Sequence, residues 1–415
     1  MASGASLSEY EPVLKEHYTT DRIRDMTYKA NPFFALVTKY EKFGGKNMPV
    51  PILYGNPQGR SKTFSKAQTR AQSTSTKFKE FTLTRTSDYS IATIDNETME
   101  ATQGDADAFV DAATTEVDGA LNSLKRSLGI GIYRDSASSY AQISAEPTEN
   151  ATTFTIVLKS AGDISNFEVG QMIVIYSAKS GGTLRTSDGS DDEFEIVGVN
   201  RKKTAPTITV GGTYDSSGTI AADDFIFIDG DRGLGISGLE AWIPSTDPDS
   251  TAFFGVDRTA DVTRLGGHRL DGTGAPIEEV LTEADAIVAD NGGFALDHFF
   301  MPHQVFKNLK NSLGTKRIIY DKLEATPRVS FRGVIIDGTN GEIKCVPDHN
   351  CPADRIFGVQ LDTWKFATLG PAVKLTDSDG LNMLRQAADD GVEIRSRFYG
   401  NLACRAPGAN INIQV

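Results

Sequence analysis

The chain has 415 residues, enough for roughly two or three domains and a sizeable core. Its 39% hydrophobic content, 39 glycines and 12 tyrosines mark a globular chain and exclude a disordered one. A net charge of −13 excludes a wholly basic nucleic-acid binder, though not a local basic face. No apolar run approaches the ~18 residues of a membrane span. The opening MASGASLSEYEP has neither the basic nor the apolar region of a signal peptide. Cys345, Cys351 and Cys404 are odd in number and sparse, as reduced thiols of a cytoplasmic protein are.

Residues 1–45 read as an arm. Leu14, Tyr18, Ile23, Met26 and Tyr28 are scattered in a charged background, too thin for a core. Asn31-Pro32-Phe33-Phe34 breaks any helix and begins an apolar patch that runs to Phe43. Residues 46–95 read as a long two-stranded excursion. Val50–Tyr54 forms one side. Phe78–Thr84, continuing through Tyr89–Ile94, forms the other. The polar stretch between them cannot bury a core, so its tip must be mobile or lie on something else.

Charge is segregated here. Gln58–Arg85 carries seven bases and one acid; Thr86–Ala120 carries nine acids and no base. The basic stretch reads as a subunit contact, with DNA binding and a plain solvated loop as alternatives.

Asp105–Arg134 is the element on which the rest is organised. Val110, Ala113, Val117, Leu121, Leu124, Leu128 and Ile132 recur at steps of three and four, one apolar stripe of a helix. Thirty residues at helical rise span about 45 Å. Asp107, Asp111 and Asp118 fall in a narrow arc beside the stripe, with Lys125 and Arg126 towards the far end, as the helix dipole favours.

Residues 140–232 change character. Thr153–Leu158, Met172–Tyr176, Phe194–Val199, Thr207–Val210 and Phe225–Ile228 are short strands between turn residues, which predicts a small β-barrel or sandwich inserted into the chain. From Gly233 onward the pattern is mixed. Ile277–Val288 is an amphipathic helix, His298–Met301 a buried strand and Pro302–Leu313 a second helix. Val334–Ile336, Glu342–Val346, Arg355–Leu361, Lys365–Thr368 and Ala409–Val415 read as strands.

Catalytic patterns are weak. Gly233-Leu-Gly235-Ile-Ser-Gly238 matches GxGxxG but lacks a surrounding βαβ unit, so a turn is favoured. Cys345, His349 and Cys351 are close in sequence but lack a fourth ligand. His298 and His303 flank a strand-to-helix turn and suit packed or surface roles. Asp188, Asp191, Asp192 and Glu193 read as a solvated acidic turn. No catalytic, cofactor or metal residues are assigned, and no enzyme is expected.

The order of arm, basic hairpin, long helix, β insertion and mixed domain resembles the tailed-phage major capsid protein of the Hong Kong ninety-seven type. Leu14-Lys-Glu-His-Tyr18, Asn31-Pro-Phe-Phe34 and Phe43-Gly-Gly-Lys46 are similar to the arm and loop start of that family. Phe254-Gly-Val-Asp-Arg258 with Arg264-Leu-Gly-Gly267 resembles its linker, and Phe300-Met-Pro-His303 its axial strand and helix.

The resemblance implies an α+β capsid fold: an N-arm (1–45), an extended loop (46–95), a peripheral domain with a spine helix (96–139), an inserted β domain (140–232), and the rest of the peripheral domain with the axial domain (233–415). It implies a virion shell of hexamers and pentamers around double-stranded DNA, assembled in a bacterial cytoplasm without any membrane. A separate scaffold, a portal and possibly a decoration protein are the implied partners. No room for a fused scaffold precedes the arm, so an uncleaved chain is expected, as is a shell without covalent cross-links. In the family the loop lies over the next subunit's spine helix. Arg60, Lys62, Lys66 or Arg70 is therefore expected to meet Asp107, Asp111 or Asp118 of a neighbour. An encapsulin-type compartment and, less favoured, a phage tail or adhesin protein are the alternatives.

Overall fold

The computed structural model describes residues 31–95, 97, 106–202, 204, 206–313, 320–326, 329–339, 341–375, 384–386 and 390–415, with backbone alone for 106–115 and 320–332. The arm motif at Leu14–Tyr18 lies outside the described residues. In chain order, α1 (Pro32–Leu36), β1 (Thr38–Tyr40) and β2 (Asn47–Gly55) lead to α2 (Phe64–Ser73), β3 (Lys77–Thr84), β4 (Thr86–Asp95) and α3 (Ala106–Gly131). Six strands follow: β5 (Ala141–Ala145), β6 (Thr153–Leu158), β7 (Met172–Tyr176), β8 (Glu193–Asn200), β9 (Thr207–Gly211) and β10 (Phe225–Ile228). Next come α4 (Leu239–Trp242), α5 (Val262–Gly266), β11 (His268–Asp271), α6 (Ile277–Gly292), β12 (His298–Met301) and α7 (His303–Leu313). The chain continues with β13 (Tyr320–Thr326), β14 (Val329–Gly338), β15 (Gly341–Pro347), β16 (Arg355–Val359) and β17 (Trp364–Thr368). It ends with β18 (Lys374–Leu375), β19 (Leu384–Arg385), β20 (Gly391–Cys404) and β21 (Ile411–Gln414).

The protein is mixed α/β, built on two sheets, a barrel and a ribbon. The long helix forms where the stripe predicts it: 26 residues, about 39 Å at helical rise. Val117, Leu121, Leu124, Leu128 and Ile132 are buried in one cluster with Ala92, Ile94, Val392, Ile394 and Phe398 of β4 and β20. Around β20 a six-stranded sheet assembles, with β17, β18 and β19 on one side and β4 on the other.

A second, seven-stranded sheet runs β11-β21-β16-β12-β15-β14-β13. α6 and α7 cover one face of it through Val280, Leu281, Ala284, Val288, Val305 and Leu309. Strands β5 to β10 close into a barrel in the order β10-β5-β6-β9-β8-β7, around Phe154, Ile156, Ile173, Phe194, Ile196, Ile208 and Ile226. β5 is the strand that sequence patterning passed over.

Two expectations are corrected. First, the ribbon is β2 against β3 only. β4 does not extend it but pairs with β20 along ten residues, from Thr86↔Gly400 to Asp95↔Gly391. Arg85 marks the break, its guanidinium donating to the Phe43 carbonyl at 2.8 Å. Second, Pro32 begins a helix and does not break one, because proline at the first helical position forfeits no bond the helix needs. Phe33 and Phe34 are fully buried in the main core, so this part of the supposed arm belongs to the body. The polar ribbon tip, for which the sequence pattern predicts no element, contains the helix α2.

Candidate interaction surface

The ribbon has a buried root and a bare tip. At the root Val50, Ile52, Phe81 and Leu83 alternate inward and are buried. The Phe81 ring lies 5.3 Å from Trp242, which packs edge-on against Phe253 at 5.1 Å. The Thr82 amide donates to the Phe254 carbonyl (3.0 Å), and Arg264 donates to the Tyr54 carbonyl (2.7 Å). These bonds fix the direction in which the ribbon leaves the body.

Beyond the root no residue of the ribbon is fully buried. Leu53 and Phe78 face each other across the ladder and are 49% and 61% exposed; Phe64, at the start of α2, is 81% exposed. No residue of α2 is buried. The tip is closed only by local bonds: the Gln58 amide to Thr74 Oγ1 (3.1 Å) and Arg70 Nη1 to the Arg60 carbonyl (3.2 Å). Residues 55–77 hold five bases and no acid. A two-stranded ribbon is marginal in water by itself, and apolar side chains bared beside charge are features of a contact surface.

Arg60, Lys62, Lys66 and Arg70 are thus gathered on one exposed tip. Asp118 lies half-buried on α3, its Oδ1 buried without a hydrogen-bond partner. Asp107 and Asp111 are on the same helix, but their side chains lie outside the described residues. Among the described residues no ion pair joins the tip to α3 within the chain. No family model matches the chain, and no curated protein matches it. Several solved structures have a similar arrangement. One, from Mycobacterium phage Bobi, has a TM-score of 0.44 at 9% identity over 99% of each chain. The capsid asymmetric unit of cyanophage A-1(L) scores 0.43 at 10% identity over 92% of each. The virus-like particle from Pyrococcus furiosus scores 0.40 at 9% identity, covering 95% of this chain and 96% of its own.

Because β4 leaves the ribbon to pair with β20, it presents a second exposed face. On the outside of β4, Tyr89 (59% exposed) and Ile91 (52%) stand opposite Arg397 and Arg395 of β20. The Tyr89 and Tyr399 rings meet edge-on at 5.9 Å, and Arg397 lies 5.5 Å from the Tyr399 ring. The alternation of Val392, Ile394, Ser396 and Phe398 inward with charged residues outward is a strand signal that would have revealed β20 and this face.

The other candidate motifs have structural roles. Gly233 turns with φ +74°, and a Cβ on Gly238 would lie 2.4 Å from the Ile132 carbonyl oxygen. The glycine pattern therefore serves a turn and a close backbone approach to the end of α3, followed by the single helical turn α4. Cys345 and Cys351 belong to different cores and do not converge. Burial pushes both thiols up, and pushes Cys404 to about 12. Asp188 Oδ1 caps its own turn, accepting from the Ser190 and Asp191 amides at 3.0 and 2.8 Å.

Proposed function

We propose that this chain is a shell-forming subunit: a major capsid protein that assembles into hexamers and pentamers of an icosahedral virion shell enclosing double-stranded DNA. Its role is structural and not catalytic. The observation that carries the reading is the ribbon tip, a basic element with exposed Leu53, Phe64 and Phe78, with no buried residue among those described. A neighbouring subunit supplies the missing surface. The acidic arc of α3, with Asp107, Asp111 and Asp118, is the complementary patch. Single exposed ion pairs are worth only about 0.2–1 kcal/mol, so the apolar side chains supply most of the contact energy and charge sets the register.

The test is a charge reversal read by electron microscopy. The wild-type chain forms closed shells. Changing Arg60, Lys62 and Lys66 to Glu blocks them while leaving a folded monomer or capsomer, and adding Asp107→Lys, Asp111→Lys and Asp118→Lys partly restores them. Unchanged shells from the triple Glu variant, at low and physiological salt alike, would overturn the proposed contact. Single particles or fibres from the wild type would overturn the shell itself. Nuclease-protected DNA in shells taken from the producing cells tests the enclosed genome.

A further inference from the structure

The barrel leaves and rejoins the body through two adjacent linkers. The amides of Gly233, Gly235 and Gly238 on the exit linker donate to the carbonyls of Ala137, Ser136 and Arg134 on the entry linker, at 3.1, 3.2 and 3.0 Å. Two ion pairs fasten the barrel's Gly162–Glu168 edge to the end of α3: Arg134 with Asp163 at 2.6 Å, and Arg126 with Glu168.

Beside these fasteners the joint is not close-packed. Two cavities, of about 240 and 270 Å³, lie between β4, α3 and the exit linker, and both are lined by Asp88, Tyr89, Ser127, Tyr140 and Asp231. Asp88 comes from the body and Asp231 from the exit linker, with Asp229 at the edge of the second cavity. Ser127 Oγ donates to Asp88 Oδ2 at 2.6 Å. Among the described residues no cation is ion-paired with any of these three carboxylates. The charged and titratable groups facing them are Tyr89 on β4, Arg126 and Arg134 at the end of α3, and Tyr140 before β5. Both arginines are already engaged by Glu168 and Asp163.

We propose that the Asp231 carboxyl, set in this joint beside Asp88, is a pH-sensitive latch that holds the barrel against the body while it is protonated and loosens it when it is charged.

Burial, then the charges of Asp88 and Asp229, raise Asp231 to about 6; burial also raises Asp88. An unfolded Asp titrates near 3.8, so the docked joint binds the extra proton between there and about 6. Docking therefore weakens as pH rises through 6, because the docked state then holds a charged Asp231 in a partly buried site beside Asp88 and Asp229. This inference does not depend on shell assembly.

Hydrogen exchange of the full-length chain tests it, read on peptides covering 132–140 and 228–238 and corrected for intrinsic rates. Going from pH 5 to pH 7.5, the linker amides should lose about tenfold or more of their protection, the scale set by a shift of about two pH units. Peptides from the closed barrel should not change. Asp231→Asn should flatten the dependence. Asp88→Asn, removing the neighbouring charge, is the second variant and should shrink the dependence without abolishing it, because burial is the larger cause. Equal wild-type protection at both pH values overturns the proposal. So does a pH response of wild-type size in whichever variant retains the wild-type circular dichroism.

Discussion

The Tyr133 hydroxyl donates to Asp348 Oδ2 at 2.7 Å, in the interior where the end of the long helix meets the seven-stranded sheet. Asp348 is 1% exposed and also caps the Asn350 amide at 3.0 Å. Burial raises its pKa, opposed by the bonds from Asn350, Tyr133 and Phe33. Removing one donor from a buried carboxylate costs about 1–3 kcal/mol. Tyr133→Phe should lower stability by that amount in denaturant melts. A double-mutant cycle with Asp348→Asn should give a coupling above about 0.5 kcal/mol. Additive losses would mean that the bond does not join the two parts.

Two glycines should respond in opposite directions to alanine. Gly119 is exposed on α3 with nothing within 4 Å of a built Cβ, so Gly119→Ala should stabilise by about 0.5–1 kcal/mol through helix propensity. A Cβ on Gly238 meets the backbone oxygens of Ile132 and Gly131 at 2.4 and 2.5 Å, and backbone cannot swing aside. Gly238→Ala should destabilise by about 1–3 kcal/mol. Thermal melts of the two variants decide it, and equal shifts would refute the packing argument.

His298 makes the fold acid-sensitive. Its ring stacks on Phe300 at 5.9 Å, and both ring nitrogens lack a hydrogen-bond partner. Burial, then the Lys344 charge, lowers its pKa from 6.5 to about 4. The unfolded chain therefore binds the proton first. Stability falls as pH drops from 6.5 towards 4 and does not change further below that. His298→Phe, which keeps the stack, should cancel about 2 kcal/mol of the loss between pH 7 and pH 4.5. The buried carboxylates titrate alike in both proteins, so the difference between them isolates the histidine. Parallel curves would refute the assignment.

The barrel should be removable. Its core is separate from the main one, and Ile130 is the α3 residue that joins it. The Ser136 carbonyl and the Gly235 amide are 3.2 Å apart, so a short Gly/Ser link can replace residues 138–234. With Ile130→Thr to cover the exposed site, the remaining chain should be soluble, with helical circular dichroism and one cooperative melt. Recovery only as insoluble protein would show that the body needs the barrel to fold.

What the sequence alone determined is what is written locally. The α3 stripe, α6, α7 and the barrel strands β6, β8 and β9 all repeat with a helical or two-residue period and bury one face, and β7 and β10 are short apolar runs, so their patterns survive without knowledge of the partner. The charge block at residues 58–85 was likewise legible, and with it the exposed cations of the ribbon tip. α2 was not, because a helix that buries nothing writes no apolar stripe into its sequence. Only the tertiary structure decided that β4 leaves the ribbon for β20 at the far end of the chain, that Phe33 and Phe34 enter the main core, and that Asp88 and Asp231 line one cavity. Strand partners and buried charge pairs depend on which surfaces meet after the chain has closed long loops. No local period records that choice.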